Sequence, residues 1–285
     1  MPDLDMLGPL QTAGLADYHC HCDYSIDAVG SIDEYCQAAL KKGLVEICFT
    51  THWDTSPISG SNDNVIRIKG KLKPTIPDNL EPYVEDVRRA NEKFFPLGLR
   101  VKLGLEYGWY PGCEETAIAL KERYDFDHFL CGLHELDGLC FSCKECYPRC
   151  FAKYSVEELV EKYAEEIAAA ASTGLFDCIA HLDYIRKYAH AHYGEELDRL
   201  LFERGLPQIL EALLTSGTSL EINTGALRRG FSDYFPSMKI INAVKRAGVM
   251  IPFLGSDAHA PNEVGHDFDA AEIIASPWSE AWSQD

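Results

Sequence analysis

The sequence predicts an α/β fold in which seven strand–helix pairs close, or nearly close, into a TIM-like barrel with its active face at the C-terminal ends of the strands. Three observations carry this. Strand-like and helix-like segments alternate from end to end, helix start and stop signals fall at their boundaries, and histidines and carboxylates collect where the strand-like segments end. An open, doubly wound sheet is the alternative topology for such alternation.

The strand candidates are LADYHCHC, VEICFTTHW, RVKLGLEYG, FDHFLCGLH, FDCIAHLDY, TSLEINTG and VMIPFLGSD, and each is followed by a helical pattern such as SIDEYCQAALKKG or SMKIINAVKRAG. Ser31 with Glu34, and Ser155 with Glu158, fit the capping box that opens a helix. Gly43, Gly174, Gly217 and Gly248 fall where helices should stop. Two segments interrupt the pattern: residues 54–80 read as a long loop, and residues 138–151 as a cysteine-rich insert. No linker divides the chain, so residues 1–285 are expected to form a single barrel domain.

Composition narrows the function. A net charge of −19, from 26 basic and 45 acidic residues, argues against long nucleic acids as partners, because their binding draws on Lys and Arg. A small phosphate remains allowed, since bound cations reverse the local field. No stretch is long and apolar enough to span a membrane, and MPDLDMLGPLQTAG has neither the basic start nor the apolar run of a signal peptide, so a cytoplasmic location is expected. There the eleven cysteines should be reduced thiols or metal ligands and not disulfides, with Cys36, Cys48 and Cys178 acting as small buried hydrophobes.

The chemistry lies in position. His19 and His21 end the first strand, with Asp27 in the loop behind them. His52, Glu106, His134 and His181 end the next four, Glu221 and Asn223 the sixth, and Asp257 and His259 the seventh. His19 and His21 alternate by two, as do Asp257 and His259, so each pair leaves one face of its strand. Two such pairs at opposite ends of the chain outweigh the ordinary reading of a histidine as a hydrogen-bonded core residue. That ordinary reading is kept for His128, His190, His192 and His266. Mixed imidazole and carboxylate donors suit Zn²⁺, Mn²⁺ or Fe²⁺. One catalytic zinc typically takes about three protein ligands, so the nine candidates other than Glu221 and Asn223 imply two to three ions.

The motifs DYHCHCDYSID, FTTHWD, GLEYG, CGLHELDG, AHLDYIRKY, EINTGALR and GSDAH, in this order, resemble the polymerase-and-histidinol-phosphatase (PHP) superfamily, above all its stand-alone histidinol-phosphate phosphatases. The likeness runs from about Asp17 to the end of the chain. It implies a distorted seven-stranded barrel, a trinuclear metal site, and hydrolysis of L-histidinol phosphate to L-histidinol and phosphate in histidine biosynthesis. It also implies that His19, His21, Glu106 and Asp257 hold one metal. Glu106 would bridge to a second with His134 and His181, and Asp27, His52 and His259 would hold a third.

The mechanism expected is direct displacement by water at phosphorus, without a phospho-enzyme. Glu106, Asp257 and His259 are the groups closest to the chemistry. Arg186 and Arg228, each five residues past a strand-end residue, are the candidate phosphate clamps, with Arg229 competing at the second position. A phosphodiesterase or exonuclease would use the same metals, and a non-catalytic metal-binding regulatory protein would bind them without turnover. A C–N hydrolase of the amidohydrolase type usually needs a carboxylated Lys, and no Lys ends a strand at the rim. The insert departs from the family: Cys140, Cys143, Cys146 and Cys150 form a C-x₂-C-x₂-C-x₃-C run. It reads as a zinc site, an iron–sulfur motif, or a thiol-bearing loop.

Overall fold

A computed structural model of the protein describes residues 15–58 and 64–275. Seven parallel strands form the sheet: β1 (Ala16–Cys20), β2 (Glu46–Phe49), β3 (Arg100–Gly108), β4 (His128–Gly132), β5 (Cys178–Ile179), β6 (Ser219–Asn223) and β7 (Phe253–Gly255). Each strand pairs with the next in chain order. The two edges meet where the His21 amide donates to the Ala258 carbonyl and the Asp257 amide to that of His19, both at 2.8 Å. The barrel is therefore nearly closed, and the open-sheet alternative falls.

Helices follow the strands: α1 (Ile32–Lys41), α2 (Glu81–Phe94), α3 (Glu114–Arg123), α4 (Val156–Ser172), α5 (Arg186–Tyr193), α6 (Leu206–Ser216), α7 (Met238–Ala247) and α8 (Phe268–Ala275). Both expected capping boxes form, at Ser31 with Glu34 and Ser155 with Glu158. Such caps typically contribute about 1 kcal/mol each. Gly217 and Gly248 close α6 and α7 at φ 75° and 89°, a left-handed conformation that a side chain would strain. The main core packs the strands' outward residues, among them Ile47, Leu103, Leu105, Phe129 and Ile222, against the helices. A smaller cluster of Leu130, Cys178 and Ala180 with Phe253 occupies the inward face, which Glu106 and Glu221 share by register.

Two features bend the barrel toward its rim. After Phe49, β2 breaks at Thr50–Thr51 and resumes as His52–Trp53, which pairs with Glu106 and Tyr107. The β5 strand keeps only two residues before the chain turns at His181.

Of the predicted loop at 54–80, residues 59–63 lie outside the described residues, and the segment after them is more regular than a loop. Val65–Ile68 and Lys71–Pro74 pair as an antiparallel hairpin around Lys69 and Gly70, both with positive φ, and a 3-10 turn follows at Pro77–Asn79. Two consecutive positive φ values match the right-handed twist of a hairpin. The hairpin steadies the site, because Arg67 donates to the carbonyls of Asp23, Ile26 and Ala28 in the loop that carries Asp27. The cysteine-rich insert forms part of a second hairpin, Glu135–Leu136 with Leu139–Cys140, turning on Asp137-Gly138 before a short helix at Tyr147–Phe151.

Cysteines follow the expectation at Cys36, Cys48 and Cys178, which are buried free thiols. The departure is a Cys143–Cys146 disulfide, where two thiols three residues apart share one tight turn. No helix among the described residues is long and apolar enough to cross a membrane.

Candidate metal centre at the barrel rim

Glu106 lies at the centre of the rim, 1% exposed, on the inward face of β3. Its Oε2 is 2.8 Å from His52 Nδ1, 3.4 Å from His19 Nε2 and 3.5 Å from His21 Nε2. Its Oε1 is 3.0 Å from His181 Nε2 and 3.4 Å from His134 Nε2. Five imidazoles thus divide between the two oxygens, as a carboxylate shared by two cations requires. A side chain at the neighbouring Gly132 would approach Glu106 Oε1 to 2.6 Å, so that approach depends on glycine.

The remaining predicted donors close around this centre. Asp257 Oδ1 is 3.4 Å from His21 Nε2, and His259 Nε2 is 3.3 Å from Asp27 Oδ2. Asp27 Oδ2 also faces His52 Nε2 at 3.7 Å. Four triads have donor atoms within 4.8 Å of one another: His19–His21–Asp257, His19–Glu106–His181, His52–Glu106–His134 and His21–His52–His259. His52 belongs to two of them, and so stands closer to Glu106 than the family pattern implied. His181 and Asp257 adopt positive φ, 52° and 53°. Non-glycine residues rarely do so, and such strain gathers where a site must aim a side chain.

The donor set fits cations on its own chemistry. Both Glu106 oxygens and Asp257 Oδ2 are buried without a hydrogen-bond partner. Buried acceptors left unpaired are costly; the Glu106 oxygens point into a ring of imidazole nitrogens, while Asp257 Oδ2 faces the Arg229 guanidinium. Burial opposes ionisation of Glu106, yet the charges of His19, His52 and His134 outweigh it and hold its carboxyl well below the usual range.

Supporting residues fix the donors. Glu221 meets His19 Nδ1 with both oxygens, at 3.0 and 3.1 Å, which leaves Nε2 for the cluster. Asn223 donates to Glu221 at 2.9 Å, and the buried Ser25 Oγ lies 3.3 Å from His21 Nδ1. Carboxylates behind metal-ligating histidines set the tautomer and the ring orientation in this way. Asp17 accepts from the Ser256 amide and hydroxyl and from the Gly265 amide, tying β1 to the turn before Asp257. The four histidines assigned elsewhere lie outside the cluster. His128 is packed between Tyr18 and Phe253, where burial pushes it down to about 3. His190 and His266 pair with Asp198 and Asp267, and His192 packs on Phe151 and Tyr193.

A cavity of about 260 Å³ opens over the cluster, lined by Asp27, His52, His134, His181, Asp257 and His259. That lies just below the roughly 300–1,000 Å³ usual for small-molecule sites. Neither Arg186 nor Arg228 lines it. The guanidinium of Arg186 faces Asp183, Asp198 and Asp233 at 2.9, 3.1 and 3.7 Å. Arg228 donates to the carbonyls of Ser256 and Asp257 at 2.7 and 2.8 Å, so its donors hold the backbone. The wall carries Arg229 instead, 3.3 Å from Asp257 Oδ2, together with Lys187, which the sequence reading missed. Lys187 Nζ donates to Tyr184 Oη at 2.7 Å and to the Ser142 carbonyl at 2.8 Å. Asp54, Trp109, Glu135 and Tyr184 complete a wall that no spacing pattern marked.

The sequence profile of the family described as PHP domain matches residues 17–225. The chain belongs to the PHP domain family. A Deinococcus radiodurans protein named "Probable histidinol-phosphatase" is 32% identical over 266 residues, 92% of this chain and 93% of its own. A Clostridium acetobutylicum protein of the same name is 27% identical, covering 91% of this chain and 92% of its own. Among solved structures, a histidinol phosphate phosphatase from Lactococcus lactis, crystallised with Zn, L-histidinol and phosphate, superposes with a TM-score of 0.70 at 22% identity. That match covers 91% of this chain and 92% of the other, and at this identity it shows the PHP barrel alone.

Proposed function

We propose that the protein is a metal-dependent phosphomonoesterase that hydrolyses L-histidinol phosphate to L-histidinol and phosphate. The observation that carries the metal-dependent part is Glu106, whose two unpartnered buried oxygens face five imidazoles. The substrate follows from near-full-length relatives named histidinol-phosphatase.

His19, His21, Asp257 and Glu106 would hold one cation; Glu106, His134 and His181 a second; and Asp27, His52 and His259 a third. Zn²⁺ is the first choice, with Mn²⁺ and Fe²⁺ compatible with the same donors. Bound there, divalent cations would polarise the phosphoryl oxygens and stabilise charge on the attacking and departing oxygens. The chain's own residues do the rest. Arg229 and Lys187 face the cavity and are assigned to the non-reacting phosphate oxygens, in place of Arg186 and Arg228. Asp257 and His259, which line the cavity beside the cluster, are assigned to take the proton lost by the attacking water and pass it to the departing alkoxide, besides their ligand roles. No side chain is needed as a covalent nucleophile.

The test is phosphate release from L-histidinol phosphate, with elemental analysis of the same protein. Two to three transition-metal equivalents at the rim, counted in a Cys140→Ser background, and turnover abolished by chelation are expected. One equivalent or none in active protein overturns the cluster, and turnover of oligonucleotides but not of phosphomonoesters overturns the substrate class.

Lys187 gives a pH test. Burial, reinforced by the Arg229 charge, pushes its ammonium down to about 8. Its pKa lies below the usual lysine value, so the charge is present at neutral pH and is lost as pH rises through about 8. Its share of kcat/KM, roughly tenfold for one charged contact, should vanish over the same range. Lys187→Met should show the lower kcat/KM at neutral pH without that alkaline fall. A fall that survives the substitution removes Lys187 from the phosphate site.

A further inference from the structure

Cys140, Cys143 and Cys146 have no part in the proposed hydrolysis, yet their three sulfurs all lie within 4.8 Å of one another. We propose that these three thiolates hold one zinc-class cation, separate from the rim cluster, which fixes one wall of the substrate cavity. Cys140 ends the second strand of the hairpin, and Cys143 and Cys146 occupy the turn that follows. The amides of Cys146 and Tyr147 both donate to the Cys143 carbonyl, at 3.3 and 3.1 Å, which curls the turn. A hairpin end followed by a tight turn presents thiols at the short spacing of structural zinc sites. Soft thiolates with no imidazole among them select Zn²⁺ over the harder divalent cations.

The Cys143–Cys146 disulfide uses two of these sulfurs and leaves Cys140 out. It spans three residues and so restrains very little chain. A cation shared by all three would tie the hairpin to the turn. Phe141, Cys150 and Phe151 anchor the insert's ends in the core and Tyr147 packs against it, while Lys144, Glu145 and Arg149 are exposed, so the Cys143–Cys146 turn itself has little apolar surface to fold around. Metal binding supplies folding free energy where a core cannot. A recess of about 90 Å³ adjoins Cys140 and Cys146, with Glu145 and Arg149 on its wall. Three thiolates and one divalent cation carry one net negative charge; of the two charged residues on the recess wall, Arg149 offsets it and Glu145 adds to it. Cys150 lies outside the group, and burial pushes its thiol up to about 12, as for an inert protonated thiol.

Loading begins with reduction. The Cys143–Cys146 bond takes two electrons and two protons from a dithiol, which leaves as its own cyclic disulfide. The cation then displaces one proton from each of the three thiols to solvent. Functionally, Cys140, Ser142 and Cys143 line the rim cavity, and the Ser142 carbonyl accepts from Lys187. The ion would therefore position Lys187 without touching substrate.

Full-length protein, stripped of metal, reduced with dithiothreitol and then freed of it by anaerobic desalting, is titrated with Co²⁺ and followed by sulfur-to-cobalt charge-transfer absorbance. The rim donors are nitrogen and oxygen, so they give no such band. A band whose final amplitude corresponds to one sulfur-ligated cobalt per chain, and which Zn²⁺ displaces, is expected. Cys140→Ser, Cys143→Ser and Cys146→Ser should each lose it while keeping the rim metals, and Cys150→Ser should keep it. With the rim loaded, the triple variant should show a KM raised more than kcat is lowered. Absence of the band in reduced protein, or its survival in Cys140→Ser, overturns the site. The absorbance does not depend on any phosphatase activity, so this inference and the functional reading fail separately.

Discussion

Glu106→Gln is expected to lower kcat by about two orders of magnitude and to strip metal from the rim. Losing even an outer partner of a metal ligand typically costs about 10–100-fold in affinity or activity, and Glu106 is placed to serve two cations at once. The amide keeps the shape of the carboxylate but offers one acceptor oxygen and turns two N–H donors toward the imidazoles. Oε1 faces His134 and His181, and Oε2 faces His19, His21 and His52, so either flip of the amide disrupts one side. Removing the negative charge also leaves bound cations less compensated. Elemental analysis and kcat should fall together, with the far-ultraviolet circular dichroism of the barrel retained. A variant that keeps more than a tenth of the wild-type kcat takes Glu106 out of the bridging role.

What the sequence revealed and what it hid have physical causes. The barrel was legible because a parallel strand buried on both faces is a short apolar run, and the capping boxes at Ser31 and Ser155 mark where α1 and α4 begin. The rim donors were legible because every strand of such a barrel ends on one face, so chain position fixes location without knowledge of side-chain direction. The details near the rim were not. His134, His181 and Asp257 each stand two residues past the end of their strand, and two of these three adopt positive φ.

The arginines show the same limit. Five residues past a strand-end residue the chain is already in a loop or helix, where a change of one position turns the side chain by roughly a quarter turn or more. Arg228 turns to the backbone after β7, and its neighbour Arg229 turns to the cavity. The hairpin at 65–74 hid because Lys69-Gly70 is a weaker turn signal than Asn-Gly or Asp-Gly, and it was read as part of a polar loop. Lys187, Tyr184 and Trp109 carry no spacing signature, and only the folded chain brings them to one wall.

Arg229 and Arg186 should separate under substitution into an activity defect and a stability defect. Arg229→Ala removes a charge from the cavity wall, and one charge-assisted contact is worth about 1.5–3 kcal/mol, so kcat/KM should fall roughly ten- to a hundredfold. Its contact with Asp257 Oδ2 makes metal content the control, which should stay level if the lost interaction is with substrate. Arg186→Ala should act differently. Its guanidinium sits among Asp183, Asp198 and Asp233, and Asp183 is fully buried. Burial pushes the Asp183 carboxyl up to about 6 even with the arginine beside it. The same carboxylate accepts from the Ser237 amide at 2.8 Å, so it joins the turn after β5 to the start of α7. Removing one partner of a buried ion pair typically costs about 3–5 kcal/mol, which lowers Tm by roughly 6–20 °C in a chain of this size. The folded fraction should keep kcat/KM within a few-fold of wild type, and Arg186→Lys should recover part of the stability. An Arg186→Ala protein with unchanged Tm and a hundredfold loss in kcat/KM would return Arg186 to the phosphate clamp and leave Arg229 as a counter-ion of Asp257.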